Sequence, residues 1–176
     1  MASNLEQMQD KYGRGLIFTV LLLVHAALSQ VAFAEEGQEA AKPFHWSAEL
    51  VSFDQGTKMA TLKARIDSHA DVAILDELSD GDPVTVRWTG ISWGAGISGV
   101  TRERPNEPSD ALLMPAEFVR TEMDDTYLVF RVPVPDASVA KIEALEAGNW
   151  VTAMSPRDAT ELADAVTEMH AYNDVS

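Results

Sequence analysis

The chain has no cysteine, which rules out disulfides, thiolate zinc sites, iron–sulfur clusters, thioether-linked haem and thiol nucleophiles together. Its fold must be held by its core. Histidine is scarce as well. His25, His45, His69 and His170 match neither H-x-x-x-H nor H-E-x-x-H, so a metal site would have to be assembled from distant segments. The methionines are scattered singly and read as core filler, without the clustering of a thioether copper site. The glycine spacing fits neither a P-loop nor a dinucleotide turn, and no nucleophile-elbow sequence supports a serine–histidine–aspartate arrangement. The sequence yields no catalytic residue, no metal ligand and no cofactor site.

Positive charge is the next shortage. Thirteen Lys and Arg stand against 28 Asp and Glu, a net charge of −15. Binding a phosphate backbone or an anionic headgroup depends on basic side chains, so nucleic acid is excluded as a partner. The simplest use of the charge is solubility.

Long apolar runs are missing too. The apolar stretch Leu16 to Leu28 has 13 residues, short of the roughly 20 that span a bilayer core. Lys11 and Arg14 precede it and Ala32-Phe33-Ala34 follows, the order of an export signal cleaved after Ala34. The expected location is periplasmic or secreted, with an uncleaved membrane anchor as the alternative. Cleavage leaves the charge unchanged and no stable membrane span. Residues 35–44 read as a flexible leader.

An internal repeat organises the rest. At an offset of 67, Ala70 to Thr85 falls on Ala137 to Thr152 with seven identities in sixteen positions, where chance gives roughly one. Upstream, Ala48-Glu49-Leu50 matches Ala116-Glu117-Phe118 once a residue is dropped from the intervening turn. The copies run over about 46–88 and 115–154. Each opens on a hairpin, around Asp54 to Thr57 and around Met123 to Thr126. In the second, Leu128, Phe130 and Val132 alternate toward a core. A short helix follows, with Val72, Leu75 and Leu78, or Val139, Ile142 and Leu145, on one face, Ser68 and Asp136 as N-caps, and Gly81 and Gly148 at the C-terminal turn. Val84 to Trp88 and Trp150 to Met154 are the closing strands.

A doubled β-β-α-β unit whose helices end in Leu-Ser-Asp-Gly-Asp-Pro-Val and Leu-Glu-Ala-Gly-Asn-Trp-Val resembles the cradle-loop β-barrels, the double-psi and swapped-hairpin types. The second copy departs from their Gly-Asp step at Asn149. The resemblance implies a mainly β fold, a small closed six-stranded barrel from two repeats. Some cradle-loop barrels act on carbohydrate or cell-wall polymers, and by that resemblance Asp82 would be a candidate acid. No motif supports such a role, and Gly81 and Asp82 read as architecture.

Two segments lie outside the repeat. The 89–114 linker is long for a loop and is expected to be a working surface. It carries Trp93 among glycines and the basic pair Arg102 and Arg104. Residues 155–176 are expected to form an amphipathic C-terminal helix and tail, capped by Ser155, with Leu162, Val166 and Met169 on one face. Trp88 and Trp150 are strand-end aromatics suited to barrel-end packing or to a ligand platform. The expected binding residues are therefore Trp93, Arg102, Arg104, Trp88 and Trp150. The function expected is that of a non-enzymatic exported binding or accessory module, engaging a protein partner or envelope complex through the 89–114 loop, with carbohydrate as a further ligand class. The alternatives are an envelope enzyme acting on glycan or peptide and a periplasmic copper carrier.

Overall fold

The computed structural model describes residues 42–90, 96–105 and 110–172, all within the unit Ala41–Ser176. The export signal and residues 35–41 of the leader lie outside the described residues. Strand β1 covers Phe44–Asp54, β2 Met59–Asp71, β3 Pro83–Thr89, β4 Gly96–Thr101, β5 Leu112–Glu122 and β6 Tyr127–Pro133. Helix α1, Asp136–Glu143, precedes β7, Trp150–Ser155, and β8, Glu168–Ala171. The sheet runs β4-β3-β5-β6-β2-β1-β7-β8, and β4 also pairs with β2. That parallel pairing, at Ile66 with Ile97 and Asp71 with Gly99, closes a ring of five strands, β2, β4, β3, β5 and β6. Strands β1, β7 and β8 continue outside it. The fold is mainly β with a closed barrel, as expected, but the ring has five strands where six were anticipated.

Alternation along β1 and β6 directs side chains to the interior, though Val129 of β6 is buried as well. Phe44, Trp46, Ala48 and Leu50 of β1 point inward, as do Leu128, Phe130 and Val132 of β6. Trp46, Trp88 and Phe130 form the centre, with ring centroids 5.0 Å apart for the two indoles and 6.0 and 6.2 Å from each indole to the phenyl. Each such side chain removes on the order of 150–250 Å² from water, about 4–6 kcal/mol of gross burial before conformational entropy is counted. The Trp46 indole N–H donates to Ser155 Oγ at 2.9 Å, and Ser155 Oγ–H donates to the Ala165 carbonyl at 2.6 Å. The Trp88 indole N–H is buried without a partner.

Three expectations are corrected. The first repeat has no α-helix, only a 3₁₀ turn at Leu75–Glu77. Strand β2 runs on to Asp71 because its end pairs with β4, so Ser68 is a strand residue and no helix cap. In the second repeat Pro133 ends β6 and α1 begins after Pro135, as proline requires. The 89–114 linker is no long loop: β4 and the start of β5 lie within it. Among the described residues of 155–176 there is no α-helix. Ser155 is the buried last residue of β7, a 3₁₀ turn spans Leu162–Asp164, and residues 168–171 pair with β7 as β8. Val166 and Met169 are buried as expected, but their spacing serves extended chain.

The two Gly-containing joints are built alike. Gly81 and Gly148 have φ of 92° and 91°, where a side chain would be strained. The Ser79 N–H donates to Asp82 Oδ2 at 3.0 Å, and the Glu146 N–H donates to Asn149 Oδ1 at 3.2 Å. The Gly81 N–H donates to the Phe118 carbonyl, and the Gly148 N–H to the Leu50 carbonyl, both at 2.8 Å. Asn149 therefore does the work of Asp82, and that work is to close a turn.

Two stability outcomes follow. Trp46→Phe is expected to cost about 1 kcal/mol more than Trp88→Phe in urea unfolding, since both lose similar volume and only the first loses a hydrogen bond. Asp82→Asn should stay within about 0.5 kcal/mol of the parent and Asp82→Ala should lose about 1 kcal/mol, because asparagine keeps the acceptor.

Candidate functional site

Where the sheet leaves the barrel, one face of β1, β7 and β8 is turned away from the core. On β1, His45, Ser47 and Glu49 alternate outward, and on β7 Trp150, Thr152 and Met154 do so. Register lines them up: Glu49 opposite Trp150, Ser47 opposite Thr152, His45 opposite Met154. Strand β8 adds His170 beside Thr152 and Glu168 beside Met154. The Tyr172 N–H donates to the Trp150 carbonyl at 2.9 Å, which extends the row by one residue.

Trp150 is the feature that stands out. Its side chain is 50% exposed, while Trp46 and Trp88 are fully buried. Exposing half an indole forgoes burial energy that folding would otherwise gain. The Tyr172 ring meets it edge-on, centroids 6.4 Å apart at 64°, so the indole is braced on a paired strand. Beside it the Ser47 and Thr152 hydroxyls lie 3.3 Å apart.

The row continues into charge. Glu49 is bridged by Lys63 Nζ of β2 at 2.9 Å, and Glu122 lies 3.9 Å from the same nitrogen. Lys63 also sits 5.7 Å from the Tyr127 ring centroid. The hydrogen bond to Glu49 is the main reason its ammonium pKa is raised above the ordinary lysine value. The face thus offers a flat apolar ring, a hydroxyl pair and a carboxylate fixed by a lysine.

The other expected binding residues lie elsewhere. Trp88 is part of the barrel core. Trp93 lies outside the described residues. Arg102 donates to the Glu77 carbonyl at 2.9 Å and pairs with Asp82 at 3.4 Å. Arg104 donates to the carbonyls of Leu113, Ala159 and Arg157, tying the segment after β4 to the one after β7. Both guanidinium groups are engaged in holding chain segments together. His69 sits by the Ser68 hydroxyl, 3.1 Å from Nδ1. Among the described residues, no three His, Asp or Glu gather as metal ligands would.

Sequence reasoning singled out Trp150 but missed Tyr172, Ser47, Thr152 and Glu49. The outward alternation of His45, Ser47 and Glu49 was available as a signal. The pairing of Tyr172 with Trp150 was not, because the C-terminal segment has helical spacing.

No known family, curated protein or solved structure matches the chain.

The Lys63 cluster gives a pH prediction with a definite sign. A folded-state pKa raised above the unfolded value of about 10.4 adds stability that is complete below that pH and is lost as pH rises through the folded value. The difference in urea midpoint between the parent and Lys63→Met should therefore be constant from pH 7 to 9 and shrink above about pH 10.5.

Proposed function

We propose that the chain is a non-enzymatic exported binding or accessory module of the cell envelope, working through the outer face of β1, β7 and β8. The observation that carries this reading is the half-exposed Trp150, braced by Tyr172 on a paired strand while other large aromatics fill the barrel. With Trp46, Trp88 and Phe130 occupying the centre, a ligand has the outside of the sheet to bind. An exposed indole set beside a second ring and hydroxyl groups on an ordered element offers flat apolar area with polar neighbours, which suits a contact surface.

Export is supported by the order of charge, apolar run and small residues in the first 34 positions. The 89–114 segment enters as a secondary contact, with Arg102 about half exposed at the end of β4. Its described part is otherwise engaged in closing the barrel. We also read the described region as two copies of one unit, in the manner of the cradle-loop barrels. Supporting this, β1 and β5 are both 11 residues long and coincide at an offset of 68. Their register shifts, at Leu50/Ser52 and at Phe118/Arg120, coincide as well. Each closing strand pairs with the opening strand of the other copy in the second half-to-first sense, β3 with β5 and β7 with β1.

The test is site-specific photo-crosslinking in cells of the source. A photoreactive residue at position 170 of the full-length chain should give a discrete adduct that disappears when Trp150→Ala is added. One at position 57, on the exposed β1–β2 turn, should give none. Adducts at 57 but not at 170 would remove the assignment of this face.

A further inference from the structure

The same face supports a narrower inference, which rests on the binding-module reading. We propose that it binds an uncharged glycan, with one sugar ring stacked on the Trp150 indole and its hydroxyls taken by Thr152, Ser47 and Glu49.

Size comes first. A stable protein interface needs about 800 Å² on each partner with an apolar centre. Here the apolar area is one ring pair with Met154 at the far end of the row, and the residues directly opposite and two along from Trp150 are a carboxylate and a hydroxyl. That composition suits a small ligand with an apolar face and a polar rim, which describes a pyranose ring. The C–H face of such a ring lies flat on an indole, and its rim of hydroxyl groups both donates and accepts.

The polar groups fit that rim. The Ser47 and Thr152 hydroxyls, 3.3 Å apart, present a donor and acceptor pair two residue pairs along the strands from the indole, on the same face. Glu49 faces Trp150 across the β1–β7 pairing and is held by Lys63. Its side chain is still 29% exposed, so the carboxylate keeps room to accept from a ligand hydroxyl at low reorganisation cost. Tyr172, edge-on to the indole, limits its rotation.

Charge selects among glycans. The chain carries a net charge of −15, and the residue paired opposite Trp150 is the acid Glu49. Lys63, the cation of this row, is already bound to that carboxylate. Uronic acid polymers and phosphate-bearing glycans would meet repulsion there, since Lys63 is already paired with Glu49.

Isothermal titration calorimetry of the full-length chain tests this, with cellohexaose, laminarihexaose and chitohexaose as neutral probes and hexagalacturonate as the anionic one. At least one neutral probe should bind saturably, with affinity falling about tenfold or more in Trp150→Ala and less in Trp150→Phe, which keeps a flat ring. Thr152→Val should weaken binding, with no more than the small fall in urea midpoint expected from losing its hydrogen bond to Ser47. Trp150 is half exposed, so its variants should fold, and an unchanged far-ultraviolet spectrum verifies it. Absence of binding by all three neutral probes would overturn the inference, as would affinity unaffected by Trp150→Ala or tighter binding of hexagalacturonate. A protein adduct at position 170 with no neutral glycan bound would sink the glycan inference and leave the binding module standing. Loss of both would remove both.

Discussion

The extent of β2 is the constraint on which the rest of the architecture turns. This strand has 13 residues and pairs with β1, β6 and β4. Its second half, from Ile66, is what β4 closes against. The corresponding chain after β6 is stopped by Pro133 and Pro135, since proline supplies no amide to a ladder and fixes its own φ. One half of the molecule therefore spends its post-hairpin residues on closing a ring, and the other spends them on α1.

That difference creates the exposed face. With α1 in place, β8 packs beside the helix, and the buried Ser138 hydroxyl accepts the Met169 N–H at 3.0 Å. The outward edge of β8 is thus partly satisfied by a side chain, which limits open pairing of a kind that invites aggregation. Strands β1, β7 and β8 are left as a flank outside the ring, one side on the core and the other free. Trp150 begins β7 on this flank, and its counterpart at the same joint, Pro83, begins β3 within the ring; both first residues are exposed, and only on the flank is that residue an indole.

Much of this was legible in order along the chain. The alternation through Leu128, Phe130 and Val132, the paired glycines at 81 and 148, and the hairpin turns are local, period-two or single-residue signals that packing does not override. Strand β4 was not legible, and the reason is physical. Gly-Ile-Ser-Gly-Val-Thr reads as a loop because glycine weakens strands. Here it is needed by close approach to β2: a Cβ at Gly96 would stand 2.5 Å from Asp67 Oδ1, and one at Gly99 would stand 3.3 Å from the Asp71 carbonyl. Nothing near Gly96 in sequence announces Asp67. The C-terminal segment failed differently, since Leu162, Val166 and Met169 fit a helical stripe while pairing with β7 fixes extended chain around Met169. Of the site, Trp150 was visible as a tryptophan at a strand start, whereas Tyr172 became its neighbour only through that unforeseen pairing.

Charge bears on the proposed recognition. Several cations of the described region hold structure: Arg104 and Arg157 on backbone carbonyls, and Lys58, Lys63, Arg120 and Arg131 on carboxylates. A guanidinium held by carbonyls cannot also clamp a phosphate or a carboxylate without releasing chain segments. The acids are in excess, and those without a cation remain on the surface as a repulsive field toward polyanions. Against that field, a ligand gains most where the surface offers apolar area and neutral hydroxyl groups together. On the flank of β1, β7 and β8 these meet at Trp150, Thr152 and Ser47, on a sheet whose far side is packed against the core. The proposed preference for uncharged, hydroxyl-rich ligands thus rests on how the chain has used its few positive charges.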